Sequence, residues 1–273
     1  MKAAQSLNNL RARRAELRAR GDTAAAKSTP AASKRGRAAT VKPSAAAKPD
    51  GTFDLACGEI TAARDELQRL AAQHPSVEGH SLVGSASKRL ALLYRRAGRA
   101  GEARAALLDA IAAYGQAERI AMARGAGDLL YPALNRIAAE LVLKAGDKAT
   151  VRLDPDMLAA VRKSLSDKHT TDPDFWSATA FVELDLYEAV AARKLAERKA
   201  ALIAGLADVR QRREDASQWE SVATQADFVL GALVDEGASA AEVQAAQDLR
   251  ETLARYSLAH HSPAHTSAVS APR

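Results

Sequence analysis

Two short strings near residue 80 contain the residue types used in covalent catalysis. Gly79 to Gly84 (GHSLVG) is one residue away from the Gly-x-Ser-x-Gly nucleophile elbow, and Ser85 to Lys88 (SASK) fits the Ser-x-x-Lys pattern. The elbow requires a strand directly before the turn, whereas the segment before Gly79 has the pattern of helix and loop. The Ser-Asp-Asn and Lys-Thr-Gly motifs that accompany Ser-x-x-Lys are absent. We therefore predict no catalytic residue and no enzymatic activity.

Metal and cofactor chemistry has equally little support in the sequence. His260, His261 and His265 are close together, but Ser, Pro and Ala surround them, which is typical of a flexible tail without supporting ligand contacts. The single cysteine, Cys57, has no Cys-x-x-Cys partner. The Walker, Gly-x-Gly-x-x-Gly and His-Glu-x-x-His motifs are also missing. We predict that the protein holds no metal and no cofactor.

Three polar side chains are better candidates for binding a protein partner. Asn135 lies beside the apolar stripe of its helix, and a half-buried amide needs partners, either from a neighbouring helix end or from a ligand peptide. Lys88 and Tyr131 are the other two side chains that we expect to face a groove between helices. We predict that Lys88, Tyr131 and Asn135 contact a partner. Trp176 and Trp219 are instead predicted to anchor the core.

The composition indicates that helices position these residues. Of the 273 residues, 47% are hydrophobic but only 4% are aromatic, so that Ala and Leu supply most of the apolar surface. Both are strong helix formers, and runs of Val, Ile and Thr with two-residue alternation do not occur. We predict an all-α fold of stacked antiparallel helical hairpins, either a tetratricopeptide-like solenoid or a compact bundle.

Breaks and caps along the chain divide this fold into nine predicted helices. The first, Asp54 to Gln73, offers Leu55, Ile60, Leu67 and Leu70 to a core. Ser-x-x-Glu capping boxes and Asp-Pro pairs, one of which is Asp172-Pro173, indicate where the later helices begin. The predicted helices span about 54–73, 76–97 (with a start between 76 and 81), 102–124, 129–145, 155–168, 173–192, 196–214, 217–236 and 239–257. The helix over 173–192 is apolar on nearly all sides, which predicts neighbours on more than one side.

The charge distribution separates the two ends of the chain from the helical region. Residues 1–50 contain twelve Lys and Arg against three acids, a net charge of +9, whereas the remainder has a net charge of −3. In the basic N-terminal part, residues 7–20 could form a short basic helix, and residues 21–51 are too polar to form a buried core. We predict a basic disordered tail over residues 1–52, a helical repeat domain over 53–258 and a disordered tail over 259–273.

The same features limit the location and the class of partner. The single cysteine indicates a reducing compartment, and no apolar run approaches the length of a membrane span or of a secretory signal. We therefore predict a cytoplasmic protein that has no contact with a membrane. The basic tail could bind nucleic acid through phosphates, although it lacks the interleaved aromatic residues that stack on bases. Binding of nucleic acid through residues 1–50 is thus the alternative to protein binding.

One stretch has the spacing of a tetratricopeptide repeat: Leu90-Ala91, Tyr94, Gly98, Ala103, Leu107 and Ala110. Small residues at these positions let two helices approach, and the large residues fill the space between them. Four further strings, in chain order, are GSASKRLA from Gly84, DLLYPALN from Asp128, DFWS from Asp174 and WESV from Trp219. With these strings, residues 54–257 resemble the helical region of bacterial tetratricopeptide-repeat proteins that carry a TRAFs-binding region. The resemblance implies a protein-interaction or sensing role, in signalling or effector systems, and no enzymatic activity.

Overall fold

The computed structural model describes residues 51–147, 149–212, 216–236 and 238–258. Within these ranges the chain forms nine α-helices and no strand. The helices are α1 (Gly51–Gln73), α2 (Val77–Arg96), α3 (Ala100–Ala123), α4 (Leu130–Leu143), α5 (Pro155–Thr171), α6 (Phe175–Ala191), α7 (Leu195–Arg212), α8 (Ala216–Asp235) and α9 (Ala240–Leu258). The prediction of an all-α fold is confirmed. Of the predicted tails, 1–52 and 259–273, residues 1–50 and 259–273 lie outside the described residues, whereas Gly51 and Thr52 begin α1.

The helices are distributed over two compact units. The first contains α1 to α4, in which each helix packs against the next one and α2 also contacts α4. The second contains α5 to α9, in which α6 contacts α5, α7 and α8, and α9 contacts α7 and α8. Within each unit, most helices that follow one another in sequence are thus also neighbours in space, as short connections favour, whereas α7 packs against α6 and α9.

The α2–α3 hairpin carries the repeat pattern found in the sequence. The two helices pack against each other along their length. The small and large apolar residues of the pattern that are buried between them are Leu90, Ala91, Ala103, Leu107 and Ala110. The turn between the helices contains Gly98 with a φ of +70°, a conformation that glycine adopts at no steric cost. The repeat spacing therefore reflects real packing between two adjacent helices.

Gly84 allows the closest approach within this hairpin. A Cβ atom added to Gly84 would lie 2.9 Å from ring atoms of Tyr114 on α3, closer than side chains pack. Tyr114 is completely buried. The tyrosine ring therefore occupies the space that any larger residue at position 84 would need.

We expect Gly84→Ala to lower the free energy of unfolding by about 1–3 kcal/mol, as overpacking of a close-packed core does. Gly115→Ala on α3 is the matched control, because the nearest atoms around its added Cβ are 3.8 Å away. This control should raise stability by about 0.5–1 kcal/mol, since alanine favours a helix interior over glycine. Urea unfolding of both variants measures the difference, and an equal effect at both positions would contradict the packing.

The core of the second unit is built around α6 and Trp219. Phe175 at the start of α6 and Tyr256 on α9 contact the Trp219 ring edge to face, with centroids at 5.2 and 5.0 Å. Trp219 is only 1% exposed, which confirms its prediction as a core anchor. The contacts of α6 with three helices explain why this helix is apolar on nearly all sides.

The prediction that Trp176 anchors the core is wrong. Its side chain is 46% exposed, and its ring contacts the adjacent Phe175. Successive residues of a helix point about 100° apart, so the same turn cannot aim both rings at Trp219. The start of the helix also differs, because Asp174 rather than Asp172 is the cap and accepts a hydrogen bond from the Ser177 backbone N–H at 2.6 Å.

None of the helices in the described ranges is both long enough and apolar enough to cross a membrane.

Candidate functional site

Lys88 and Asn135 meet where α2 packs beside α4. The Lys88 Nζ donates a hydrogen bond to Asn135 Oδ1 at 2.7 Å. Asn135 Nδ2 donates in turn to the backbone carbonyl of Tyr131, one helical turn earlier, at 3.0 Å. Asn135 is 6% exposed, and these two bonds give both the oxygen and the nitrogen of its buried amide a hydrogen-bond partner. The amide therefore links the Lys88 ammonium on α2 to the backbone of Tyr131 on α4.

Tyr131 is fixed by a second set of contacts. Its hydroxyl is 3.0 Å from Ser85 Oγ, which is also 3.0 Å from the hydroxyl of the buried Tyr114. The two tyrosine rings are in edge-to-face contact, with centroids 6.5 Å apart. Burial raises the pKa of the Tyr114 phenol well above its usual value, so this hydroxyl remains neutral. Tyr131 itself is 55% exposed and is thus a large side chain that is held on one side and open on the other.

We call Lys88, Tyr131 and Asn135 the α2–α4 surface. Ser85 and the buried Tyr114 hold Tyr131 in place through the hydrogen bonds of Ser85 to both tyrosine hydroxyls. The structure brings together all three residues that the sequence suggested. It adds Ser85 and Tyr114, which the sequence analysis did not assign to this group. Ser85 lies three residues before Lys88, and this i, i+3 spacing places both on one helix face, a signal that could have been used.

An ion pair next to the α2–α4 surface joins α3 to α4. Arg136 Nε contacts both carboxylate oxygens of Glu118, at 2.7 and 2.8 Å, and its Nη1 contacts Glu140 at 2.5 Å. The Glu118 side chain is buried. Burial raises the pKa of Glu118, and the hydrogen bond from Arg136 offsets part of this shift. The pair fixes the packing of α4, which carries Tyr131 and Asn135.

The two strings with catalytic residue types, residues 79–84 and 85–88, both lie within helix α2 of the first unit. Gly79 to Gly84 lies inside α2, so the strand-to-helix turn of a nucleophile elbow does not form there. Ser85 shares its hydroxyl with the hydroxyls of Tyr114 and Tyr131, and burial raises the pKa of the Tyr114 phenol, which disfavours its role as a base. Cys57 is buried, which raises the pKa of its thiol. The arrangement supports recognition through hydrogen bonds and an exposed aromatic ring.

The histidine group at 260–265 lies outside the described residues. Within the described ranges, no group of three or more His, Cys, Asp or Glu is placed to hold a metal ion.

Comparison with known families gives one result. The family model described as Tetratricopeptide Repeats-Sensor matches residues 3–141, which is about half of the chain. The matched part includes α1 to α3, nearly all of α4 and the segment that precedes α1, whereas the second unit lies beyond it. No curated protein and no solved structure matches the chain.

Proposed function

Because the chain belongs to the Tetratricopeptide Repeats-Sensor family, we propose that it is a non-enzymatic module that binds a protein partner through the α2–α4 surface. The proposal includes a role in a bacterial signalling or effector system, of the kind implied by the resemblance to proteins with a TRAFs-binding region. It also includes a cytoplasmic location, in keeping with a single cysteine that lies buried in its reduced form.

The observation that carries the proposal is the position of Tyr131. An exposed tyrosine offers a large apolar area together with a polar end, and such residues are enriched among the side chains that dominate binding energy. Its contacts with Ser85 and Tyr114 fix the ring before any partner arrives. A side chain that is already ordered loses less conformational entropy on binding, so more of its contact energy contributes to affinity.

Lys88 and Asn135 add polarity and direction to this surface. The ammonium group of Lys88 supplies up to three hydrogen-bond donors, and Asn135 fixes its location at 2.7 Å. A bound segment could place an aromatic or aliphatic side chain against Tyr131 and an acceptor group near Lys88. This combination of an apolar anchor with a nearby charged group is the usual anatomy of a protein interface.

We expect Lys88→Met to weaken binding of a purified partner by about tenfold or more, which corresponds to about 1.4 kcal/mol. Methionine keeps the length of the side chain but removes its charge and its hydrogen bond to Asn135. Lys163→Met is the matched control, because Lys163 is an exposed lysine of the second unit that pairs with Asp167. Calorimetric titration of the full chain measures both affinities, and thermal unfolding of the same samples reports any loss of stability.

Two outcomes would count against this role for Lys88. Equal affinities for the two lysine variants, together with a lower melting temperature for Lys88→Met alone, would assign Lys88 to helix packing only. Binding of DNA or RNA by the full chain, with steep salt dependence and no effect of either substitution, would favour residues 1–50 as the binding segment.

A further inference from the structure

A cavity of about 30 Å³ lies among helices α6, α7, α8 and α9 of the second unit. Among the described residues that line it, Thr179 and Glu183 are polar and all the others are aliphatic. The Thr179 hydroxyl donates a hydrogen bond to the backbone carbonyl of Phe175 at 2.9 Å, so its polar atom is engaged within α6. A buried water molecule needs two to four polar partners. An interior of this kind therefore favours an apolar occupant over water.

The aromatic core of the second unit lies against one end of this cavity. Thr179 follows Phe175 by one turn of α6, and Val222 follows Trp219 by about one turn of α8. Residues one turn apart share a helix face. Phe175 and Trp219 are both nearly fully buried and contact each other edge to face. The two rings therefore block the cavity on this side, and a ligand must enter elsewhere.

Three half-buried residues mark the mouth of the cavity: Val182, Glu183 and Val222. The other residues that line it, among them Leu206 and Leu230, are buried. The lining thus reaches solvent at the mouth, where its charged residue is located. An amphipathic ligand would place its apolar end inside and its polar end beside Glu183.

The Glu183 carboxylate is held at this mouth by two neighbouring side chains. Its Oε1 accepts a hydrogen bond from the hydroxyl of Tyr187, one turn later on α6. That hydroxyl accepts a hydrogen bond from Gln225 Nε2 on α8 at 2.8 Å, and Tyr187 is completely buried. The negative charge of Glu183 favours a cationic group at the mouth and disfavours an anionic one.

The volume limits the apolar end of the ligand to a few atoms. One water-sized occupant needs about 10–15 Å³, so this cavity holds two or three groups of about that size. A cavity that binds benzene is about five times larger. A short alkyl chain therefore fits this space, whereas an aromatic ring does not.

We propose that this cavity binds the short alkyl end of a small cationic molecule, such as an alkylammonium ion, whose positive group lies beside Glu183. The second unit lies beyond the residues matched by the repeat family. This inference is independent of partner binding at the α2–α4 surface, and either can fail without the other.

The test is a methyl NMR titration of the full chain with n-propylamine, n-propanol and butyrate, which share a propyl chain. We expect propylamine, a cation at neutral pH, to shift the methyl signals of Val182, Val222 and Leu230 in a saturable manner. It should bind about fivefold more tightly than propanol, which is the effect of one charge pair about 4 Å apart in water. Butyrate should bind more weakly than propanol. The methyl signals of Leu90 in the first unit are the internal control and should not move.

Two variants test the two ends of the proposed ligand. Ala226→Val adds two carbons where the alkyl chain would lie and should abolish the saturable shifts. Ala201→Val, at an exposed position on α7, is the matched control and should retain them. Glu183→Gln keeps an acceptor for Tyr187 but removes the charge, so propylamine and propanol should then bind equally.

Three results would overturn the proposal. The first is the absence of saturable shifts, or equal affinities of the three probes, in the wild-type chain. The second is binding that survives Ala226→Val, which would locate the ligand outside the cavity. The third is a preference for propylamine that survives Glu183→Gln, which would show that this carboxylate does not select the cation.

Discussion

Replacing Trp219 with alanine is expected to lower the free energy of unfolding of the second unit by about 3–5 kcal/mol, the usual cost of removing a large aromatic side chain from a core. The indole is 1% exposed and lies between the rings of Phe175 and Tyr256. Its Nε1 has no hydrogen-bond partner, so the loss would come from packing alone. Urea unfolding followed by fluorescence of the remaining Trp176 reports on this unit directly.

Trp176→Ala is the matched control for that substitution. The same residue type is removed from the same unit, but from a position that is 46% exposed. We expect a loss of less than about 1 kcal/mol, because surface substitutions away from special contacts have small effects. Comparable losses in both variants would show that the two indoles are buried alike, contrary to the structure.

The second large effect is expected for Arg136→Met. This change leaves the buried carboxylate of Glu118 without its partner, and breaking a buried ion pair in this way costs about 3–5 kcal/mol. Adding Glu118→Leu to the same chain should restore much of the loss, since the unpaired charge at the buried position 118 is then removed. Glu140 also loses its contact with Arg136, but its side chain is 24% exposed and can be hydrated. Thermal unfolding of the single and double variants measures this difference. A double variant that is less stable than Arg136→Met alone would contradict the explanation.

The pH dependence of the same pair gives an independent check. Burial raises the pKa of Glu118 above that of the unfolded chain, so the folded protein binds more protons between those two values. The contribution of Glu118 to stability therefore falls as the pH rises through that interval, and it recovers as the pH is lowered. We expect the deficit of Arg136→Met relative to wild type to shrink on acidification. A deficit that stays constant over this interval would show that the carboxylate is not the cause.

The sequence was sufficient to predict the helices and most of their breaks. Pro155 after Asp154, and Gly98 within its turn, act through local backbone geometry that needs no knowledge of the tertiary fold. The two tryptophans show the limit of this reasoning. Both lie in the first turn of a predicted helix, but their burial depends on which side of the helix packs against neighbouring helices. In α6 this side carries Phe175, which contacts Trp219, and Trp176 points away from it.

The residues of the candidate site were predicted from the sequence, but their contacts with one another were not. Helical spacing placed Lys88, Tyr131 and Asn135 on helix faces one by one. The contact between Lys88 and Asn135, which are 47 residues apart in sequence, depends on α2 lying beside α4. The chain of hydroxyls through Ser85 and Tyr114 could not be predicted from spacing, because it also requires the α2–α3 hairpin to bring Tyr114 beneath Tyr131.

Photo-crosslinking in cells tests partner binding at the α2–α4 surface most directly. A photoreactive phenylalanine derivative replaces Tyr131, and the same residue replaces Trp176, an aromatic that is similarly exposed but lies in the second unit. We predict one discrete covalent adduct with a protein from position 131, its loss when Lys88→Glu is added, and no such adduct from position 176. Adducts of the same pattern from both positions, or an adduct from position 131 that Lys88→Glu leaves unchanged, would contradict the account.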